Sequence, residues 1–372
     1  MFRKLKSGLG EMDTGFLAIV LMLTAYGLIM VYSASSPNAF YVKNDSTYFF
    51  RNQLIWAVLG IVTLFITSLI DYRFIKKMRM AIYFVAVGLL AIVAVAGATV
   101  NGAKRWIRIG AFSMQPSEFA KIAIVIMCAY VLSKLTDTRW KSTLPYVFSC
   151  ILIFSLVGIF LLFQPHFSAM IIIVGSIAMM MLVAGIPLRI FTAVGIPAAA
   201  VGVLIVLLEP YRLKRVLSFT DPFKYKQDEG WQVVQSLYAI GSGGGTGLGL
   251  GRSRQKYLYI PEPQNDFIFS IICEELGFIG AILVIGLFVA LLLKGVKIAL
   301  NAPDKYSMIL TFGLLSIVAV QALLNIAVAT SSVPATGIPL PFFSAGGSSF
   351  VFQMMSMGMI LNISRQPKVI IE

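Results

Sequence analysis

The sequence has 372 residues, of which 58% are hydrophobic and only 12% carry a charge. About a quarter of the residues of a soluble domain are charged, so this composition excludes an ordinary soluble globule and indicates an integral membrane protein. The formal net charge of +14 fits anchoring to anionic membrane lipids, and no interleaving of basic and aromatic residues indicates a nucleic-acid partner.

Apolar runs long enough to cross a bilayer follow one another along the whole chain. A hydrocarbon core about 30 Å thick needs about 20 helical residues for each crossing. The runs predict an all-α integral membrane protein of about ten transmembrane helices in a single domain, 1–372, with a long extracellular loop, about 209–265, between helices 7 and 8. The predicted spans are 15–34, 53–70, 80–100, 118–133, 144–163, 168–184, 189–208, 267–293, 306–330 and 343–363.

The distribution of Lys and Arg predicts the orientation in the membrane. Short loops on the side of the amino terminus contain more of these residues than the short loops on the opposite side. By the positive-inside rule, both termini are then cytoplasmic and the long loop is extracellular. Lys104, Arg105 and Arg108 are an exception, because they crowd into one short outer loop, and this indicates a function for positive charge there.

Glu118 and Lys121 are ionisable residues near the outer start of the fourth predicted span. Such residues are costly inside a membrane and generally face a partner or a cavity. Their i, i+3 spacing puts them on one helix face, where they could form a structural ion pair or line a polar cavity. Pro116, just before them, suits the turn that opens a helix.

The long outer loop contains an amphipathic stretch followed by a glycine-rich one. Apolar residues at helical spacing over 231–240 predict a short helix on the membrane surface. The glycines of 241–251 match no nucleotide-binding motif. They predict either a flexible hinge or a backbone nest for phosphate.

Asp266 ends the polar turn PEPQND and directly precedes the eighth span. Two roles fit this position: the N-cap of the helix, and a general base whose pKa is raised by partial desolvation. The two roles compete, because a tightly bonded cap would lower the pKa. Glu274 and Glu275 lie further along the same span, and we expect one to face a partner and the other a cavity.

Two further polar stretches interrupt the spans. Residues 330–349 are too rich in Pro, Gly and Ser for one continuous helix, so we expect an outer loop that returns into the membrane. The single histidine, His166, lies in a tight outer turn, where a turn role is favoured over a ligand role. One histidine and three separated cysteines provide neither a HExxH zinc motif nor a disulfide framework.

A cationic patch and a carboxylate at the outer face together indicate chemistry on a diphosphate. Positive charge suits a diphosphate, and a carboxylate can deprotonate a hydroxyl group. The sequence contains no DxD pair for a metal-chelated nucleotide-sugar donor. A lipid-linked diphosphate would need no such pair.

Three blocks of the sequence resemble one protein family. They are NGAKRWIRIGAFSMQPSEFAK (101–121), PEPQNDFIFSIICEELGFIG (261–280) and GIPLPFFSAGGSSF (337–350). These look like the signature blocks of the SEDS family, the shape, elongation, division and sporulation proteins that include FtsW, RodA and SpoVE. Residues 235–244 and 247–267 look closer to SpoVE and FtsW than to RodA. The turn QPHFS has His166 where the family usually has Asp.

The resemblance implies a peptidoglycan glycosyltransferase of the bacterial cytoplasmic membrane. Such an enzyme polymerises lipid II with inversion, releases undecaprenyl diphosphate, and works with a class B penicillin-binding protein, a transpeptidase. The resemblance makes Asp266 the essential outer-loop aspartate, and it places Arg105, Glu118 and Lys121 at substrate-binding positions. We expect Lys104 to bind substrate with them. No cofactor or metal-ligand set is evident in the sequence, although a divalent cation would fit on the diphosphate.

Two other functions fit the same residues. A lipid II flippase would also need a cationic entrance and polar residues within the membrane, but it would depend less on Asp266. A non-catalytic scaffold for the transpeptidase would depend on none of these residues. The outer position of both the patch and the carboxylate favours the enzyme, because few polar groups lie near the predicted inner mouth.

Overall fold

The computed structural model describes residues 10–100, 103–109, 112–208, 218–225 and 230–366. Helices dominate this part of the chain, and they are numbered in chain order. They are α1 (Thr14–Lys43), α2 (Tyr48–Leu69), α3 (Tyr72–Ala96), α4 (Pro116–Ser133), α5 (Trp140–Phe163), α6 (Phe167–Ala184), α7 (Leu188–Leu208), α8 (Trp231–Gly243), α9 (Ile268–Leu300), α10 (Lys305–Ala329) and α11 (Gly347–Ser364).

Eight of the described helices, α1 to α6 with α9 and α10, are long and apolar enough to cross a membrane. The predicted class of helical membrane protein is therefore confirmed. The other two predicted spans coincide with α7 and α11. Whether these two helices also cross, which would give about ten crossings, stays a prediction, as does the outer position of the long loop.

A small antiparallel sheet, which the sequence analysis did not predict, lies between α3 and α4. It consists of β1 (Ala98–Val100), β2 (Ala103–Ile109) and β3 (Phe112–Met114), with β2 in the middle. In the register of β2 and β3, Arg108 pairs with Ser113. The sheet gives the short cationic loop a defined backbone, and neighbouring side chains on β2 point to opposite faces of it.

The helix predicted at 231–240 is present as α8, and it is packed into the helix bundle. Val234 and Ala239 are buried. Ser236 Oγ donates to Ala329 O at the end of α10 at 2.6 Å and lies 2.5 Å from Ser270 Oγ on α9. The apolar face of α8 therefore packs on two neighbouring helices of the bundle.

α9 is interrupted at Gly277, whose φ of 66° is left-handed. The glycine-rich segment 241–251 docks into this break, where Leu248 N donates to Glu274 O at 2.9 Å. A Cβ on Gly277 would lie 2.4 Å from Gly247 N, so glycine is required for the close approach. The flexible-hinge interpretation is therefore wrong, because the segment is packed against α9. Its Leu248 amide bonds to protein, which argues against a phosphate nest there.

The two ends of the described chain meet at one end of the bundle. Gly10 N donates to Arg365 O at 2.6 Å, and Asp13 N donates to Ser364 Oγ at 3.2 Å. An even number of crossings brings both ends of a chain to one side of a membrane, so this contact agrees with ten. The cytoplasmic position of that side stays a prediction.

Candidate active site

Asp266 lies in the turn that leads into α9, but it is not the N-cap of that helix. The N-cap is Phe267, which makes no side-chain capping hydrogen bond, and the helix begins at Ile268. The N-cap interpretation is therefore wrong, because the helix begins one residue later than that interpretation requires. Asp266 itself is partly exposed at this boundary.

Residues 331–346 form a non-helical segment between α10 and α11, called here the re-entrant segment. Its Leu340, Phe342 and Phe343 are buried. The ring of Phe343 meets the ring of Tyr26 on α1 edge-on, with 5.2 Å between centroids. Irregular backbone is tolerated among membrane helices where protein surrounds it. The predicted non-helical stretch is therefore confirmed, and its return into the membrane stays a prediction.

The re-entrant segment and α10 hold the backbone of the Asp266 turn. Asn325 Nδ2 on α10 donates to Asp266 O and to Ile338 O, both at 2.7 Å. Ser344 Oγ donates to Asn265 O at 2.5 Å. The position of Asp266 is thus fixed by hydrogen bonds to its own carbonyl and to that of its neighbour.

Gly337 brings the re-entrant segment close to the carboxylate of Asp266. A Cβ at this position would lie 3.2 Å from Asp266 Oδ2, and the φ of Gly337 is 64°. A side chain here would strain the backbone and crowd the carboxylate. The glycine of the GIPLPFF block therefore serves the geometry of the Asp266 site.

Glu118 and Lys121 form an ion pair near the start of α4, with 2.9 Å between Lys121 Nζ and Glu118 Oε2. Lys121 is 3% exposed and Glu118 is 12% exposed. Pro116 occupies the first turn of the helix, as predicted. The pair is therefore an ion pair, and both of its residues also line a cavity of about 30 Å³, so both interpretations from the sequence apply.

The cavity is lined by α4, α10, α11 and the re-entrant segment. Gln321 on α10 accepts a hydrogen bond from Lys121 Nζ at 3.3 Å, and its Nε2 donates to Pro339 O at 3.0 Å. Ser344, which bonds to the Asp266 turn, also lines the cavity. The cation of Lys121 and the turn of Asp266 are therefore attached to the same segment.

One face of α10 makes both attachments. Gln321 and Asn325 are four residues apart, and residues at this spacing lie on the same side of a helix. Gln321 connects Lys121 to the re-entrant segment, and Asn325 connects Asp266 to it. The structure thus brings two of the predicted site residues into one assembly.

Arg105 and Lys104 take different positions on β2. Arg105 Nε donates to Gln164 O at 3.0 Å, and its Nη2 donates to Pro165 O at 2.6 Å. These bonds anchor the guanidinium on the turn between α5 and α6. The side chain of Lys104 is exposed.

His166, in that same turn, lies beside two of the predicted cations. Its Nε2 is 3.3 Å from Gln115 Nε2, and it occupies the N-cap position of α6. Burial, together with the positive charges of Arg105 and Lys121, lowers the pKa of His166 to about 3. The imidazole is therefore neutral near pH 7, and its predicted position in a turn is confirmed.

Glu274 and Glu275 both face protein partners. Glu275 Oε1 lies 2.7 Å from Lys256 Nζ, and its Oε2 accepts from Ser33 Oγ at 2.6 Å. Glu274 Oε1 accepts from Arg254 N at 2.9 Å. The expectation that one of the two glutamates faces a cavity is wrong, because the loop that precedes Asp266 folds back over both.

Sequence reasoning overlooked Gln321, Asn325 and Lys256. The signal for the first two was present, since two amide side chains four residues apart in an apolar span indicate a functional face. Within the described ranges, no three His, Cys, Asp or Glu side chains cluster closely enough to hold a metal ion. The three cysteines are buried and free.

A profile of the FtsW/RodA/SpoVE cell cycle proteins matches residues 13–369. The chain belongs to this family. The three sequence blocks that carry the resemblance contain Glu118, Lys121 and Asp266, together with the glycine beside the carboxylate. The resemblance seen in the sequence is therefore confirmed.

Relatives within the FtsW/RodA/SpoVE family match almost the full chain. Stage V sporulation protein E of Bacillus subtilis is 42% identical, over 95% of this chain and 97% of its own length. The probable peptidoglycan glycosyltransferase FtsW of Trichlorobacter lovleyi is 40% identical, over 96% of this chain and 94% of its own length.

Solved structures show the same fold. A chain from a peptidoglycan synthase complex, studied for its coordination of polymerization and crosslinking, is 28% identical with a TM-score of 0.79, over 95% of this chain and 98% of that one. The crystal structure of the rod shape determining protein RodA of Thermus thermophilus is 25% identical with a TM-score of 0.71, over 95% and 97% of the two chains.

Proposed function

We propose that this protein is a peptidoglycan glycosyltransferase that polymerises lipid II at the outer face of the bacterial cytoplasmic membrane, for division, cell shape or sporulation. Its FtsW relatives bear the name of this activity, which supports the reaction class. With this function, the Asp266 turn lies on the extracellular side of the membrane. The two ends of the described chain lie on the cytoplasmic side.

The proposal rests on one observation. The turn of Asp266 and the buried cation of Lys121 are each linked to the re-entrant segment through an amide side chain of α10. Glycosyl transfer from a lipid diphosphate needs a base at the attacking hydroxyl and positive charge at the leaving group. Asn325 fixes the turn of Asp266, and Gln321 fixes Lys121. Both groups are held before substrate arrives, as electrostatic stabilisation of a transition state requires.

In the proposed reaction, Asp266 takes the proton from the 4-hydroxyl of the acceptor sugar. That oxygen forms a bond to C1 of the donor sugar with inversion, while the bond from C1 to the diphosphate oxygen breaks. Lys121, Arg105 and Lys104 stabilise the negative charge of the departing undecaprenyl diphosphate, and Glu118 holds Lys121 in place. A divalent cation taking part would be held mainly by the diphosphate itself.

Buried polar atoms of this region support a ligand rich in hydroxyl groups. Four of them have no hydrogen-bond partner in the described structure: Gln264 Oε1, Asn325 Oδ1, Thr336 Oγ1 and Gln353 Nε2. Buried polar atoms in proteins are nearly always bonded. Three of these atoms can accept from a sugar hydroxyl, and the fourth can donate to one.

The test is polymerisation of purified lipid II by the full chain with its cognate transpeptidase. Asp266→Asn should reduce the initial rate by about 10² to 10⁴-fold, which is the range of a general base. Glu262→Gln is the matched control, because Glu262 lies in the same turn, is exposed, and accepts from Asn265 Nδ2 at 2.8 Å, as a glutamine oxygen also can. This control should keep nearly the full rate.

Near-normal polymerisation by Asp266→Asn would refute the role of the aspartate. If neither wild type nor variant makes polymer but both carry lipid II across liposomes, the protein is a transporter. If neither activity appears and the transpeptidase still requires the chain for crosslinking, the scaffold function holds.

We further propose a class B penicillin-binding protein as the partner. The support is the likeness to a chain that works within a peptidoglycan synthase complex. Such a partner would couple polymerisation to crosslinking in one assembly. Co-purification of the full chain with candidate transpeptidases from the same bacterium would identify it.

A further inference from the structure

A second group of charged residues lies at the end of the bundle opposite to Asp266. α9 begins next to Asp266, and α10 begins where α9 has returned to the other end. Tyr72 N, at the start of α3, donates to Asn362 Oδ1 near the end of α11 at 3.0 Å. The starts of α3 and α10 therefore lie at the end of the bundle where the two chain ends meet.

Three cations converge there on two tyrosine rings. Lys76 Nζ lies 4.8 Å from the ring centroid of Tyr306. The guanidinium carbon of Arg79 and the Nζ of Lys134 lie 3.6 Å and 4.5 Å from the ring centroid of Tyr130. The cations come from the start of α3 and the end of α4. We call this group the inner cationic cluster.

Carboxylates do not neutralise the inner cationic cluster. The ion pairs between described residues include none of its three cations. The acidic side chains of the neighbouring segments are engaged elsewhere: Asp304 accepts from Ser307 N at 2.7 Å, Asp71 from Arg73 N at 2.8 Å, and Asp137 from Arg139 Nε at 2.8 Å. The cluster therefore retains a net positive charge.

Two polar atoms of the cluster are buried and have no hydrogen-bond partner in the part of the chain described. They are Arg79 Nε and the hydroxyl of Tyr306, whose residue is only 1% exposed. Both can donate a hydrogen bond. A topological excess of Lys and Arg explains positive charge on this side of the membrane, but it does not explain convergence on buried donors.

We propose that the inner cationic cluster binds the phosphate of an anionic phospholipid headgroup. A phosphate diester supplies acceptor oxygens for Arg79 Nε and the Tyr306 hydroxyl and negative charge for the three cations. The cluster lies at the ends of two membrane helices, and basic pockets at such positions bind anionic lipid headgroups. A lipid is favoured over a soluble anion because its acyl chains would lie along these apolar helices.

The test measures lipid adducts of the full chain by native mass spectrometry in detergent, with phosphatidylglycerol as the probe and phosphatidylcholine as the neutral comparison. The variant combines Lys76→Gln, Arg79→Gln and Lys134→Gln. The matched control combines Lys77→Gln, Lys141→Gln and Arg189→Gln, three exposed cations at the same end of the bundle. Wild type and control should bind phosphatidylglycerol in preference to phosphatidylcholine. The variant should bind it about fivefold more weakly for each cation removed, or about a hundredfold in total.

Equal binding of the two lipids by wild type, or an equal loss in variant and control, would overturn the proposal. Displacement of phosphatidylglycerol by millimolar inorganic phosphate would assign the cluster to a soluble anion instead. Should the triple variant fail to fold, Lys134→Gln alone serves, because this side chain is exposed. It should weaken phosphatidylglycerol binding about fivefold.

Discussion

Two lysine–glutamate pairs are buried in this protein, and they lie in opposite kinds of surroundings. Lys256 Nζ lies 2.7 Å from Glu275 Oε1, and the two side chains are 3% and 0% exposed. Ser33 Oγ donates a further hydrogen bond to the carboxylate. Lys121 and Glu118 are 2.9 Å apart, but Glu118 is 12% exposed and both side chains line the cavity.

The difference separates a structural pair from a pair that can exchange partners. A buried charge is tolerated when hydrogen bonds satisfy it, and removing one member of a closed pair leaves the other uncompensated. The pair at Lys256 is closed and fixes the loop that leads to Asp266. The pair at Lys121 opens onto a cavity, so an incoming anion could share the cation with Glu118.

The largest effect is expected from breaking the closed pair. Lys256→Met should reduce the free energy of unfolding by about 3–5 kcal/mol, because the carboxylate of Glu275 would remain buried without its cation. Denaturant unfolding in detergent micelles measures the loss. Arg51→Met is the control, because the pair of Arg51 with Asp45 is exposed, and it should cost about 1 kcal/mol or less.

A loss in Lys256→Met no greater than that in Arg51→Met would show that the closed pair is not a structural lock. The double variant Lys256→Met with Glu275→Gln provides a second check. It should recover part of the loss, because the uncompensated charge is removed.

A smaller effect on stability but a large effect on turnover is expected at the open pair. Lys121→Met should lower the polymerisation rate about a hundredfold, the usual loss when one preorganised stabilising group is removed. Its unfolding free energy should fall less than that of Lys256→Met, because the cavity lets Glu118 become hydrated or protonated. Lys141→Met, an exposed change at the other end of the bundle, should leave both quantities unchanged. Full polymerisation by Lys121→Met would remove Lys121 from the mechanism.

The smallest effect concerns His166, which lies near the open pair. Its pKa is lowered from 6.5 to about 3 in the folded protein, so the unfolded chain binds the proton more tightly. Stability should therefore decrease as the pH falls below about 6.5, by about 1 kcal/mol between pH 7 and pH 5.5. His166→Gln should remove this component, as melting curves at several pH values would reveal. Identical pH dependence in wild type and variant would show that His166 is not held neutral.

Much of the architecture and part of the site could be predicted from local sequence. Hydropathy locates each long helix because a membrane span needs its apolar residues in one continuous run. Glu118, Lys121 and Asp266 stand out because ionisable groups are rare in or beside such runs. The turn at His166 and the interruption at 331–346 follow from Pro and Gly.

What could not be predicted depends on contacts between distant parts of the chain. Glu275 accepts a hydrogen bond from Ser33 on α1, and nothing in the local sequence of either residue predicts this contact. The role of Asn325 follows from where Asp266 and Ile338 lie in space. The sheet was missed because its outer strands have only three residues each, too few for an alternating pattern to show.

The contact between Gly10 and Arg365 makes the path of the described chain almost a closed ring. A short linker between these two described residues would allow circular permutation without moving the elements between them. The linear order of the helices is therefore one of several sequences that could encode the same packing. A reporter placed next to Gly10 or Arg365 would lie at the end of the bundle away from Asp266.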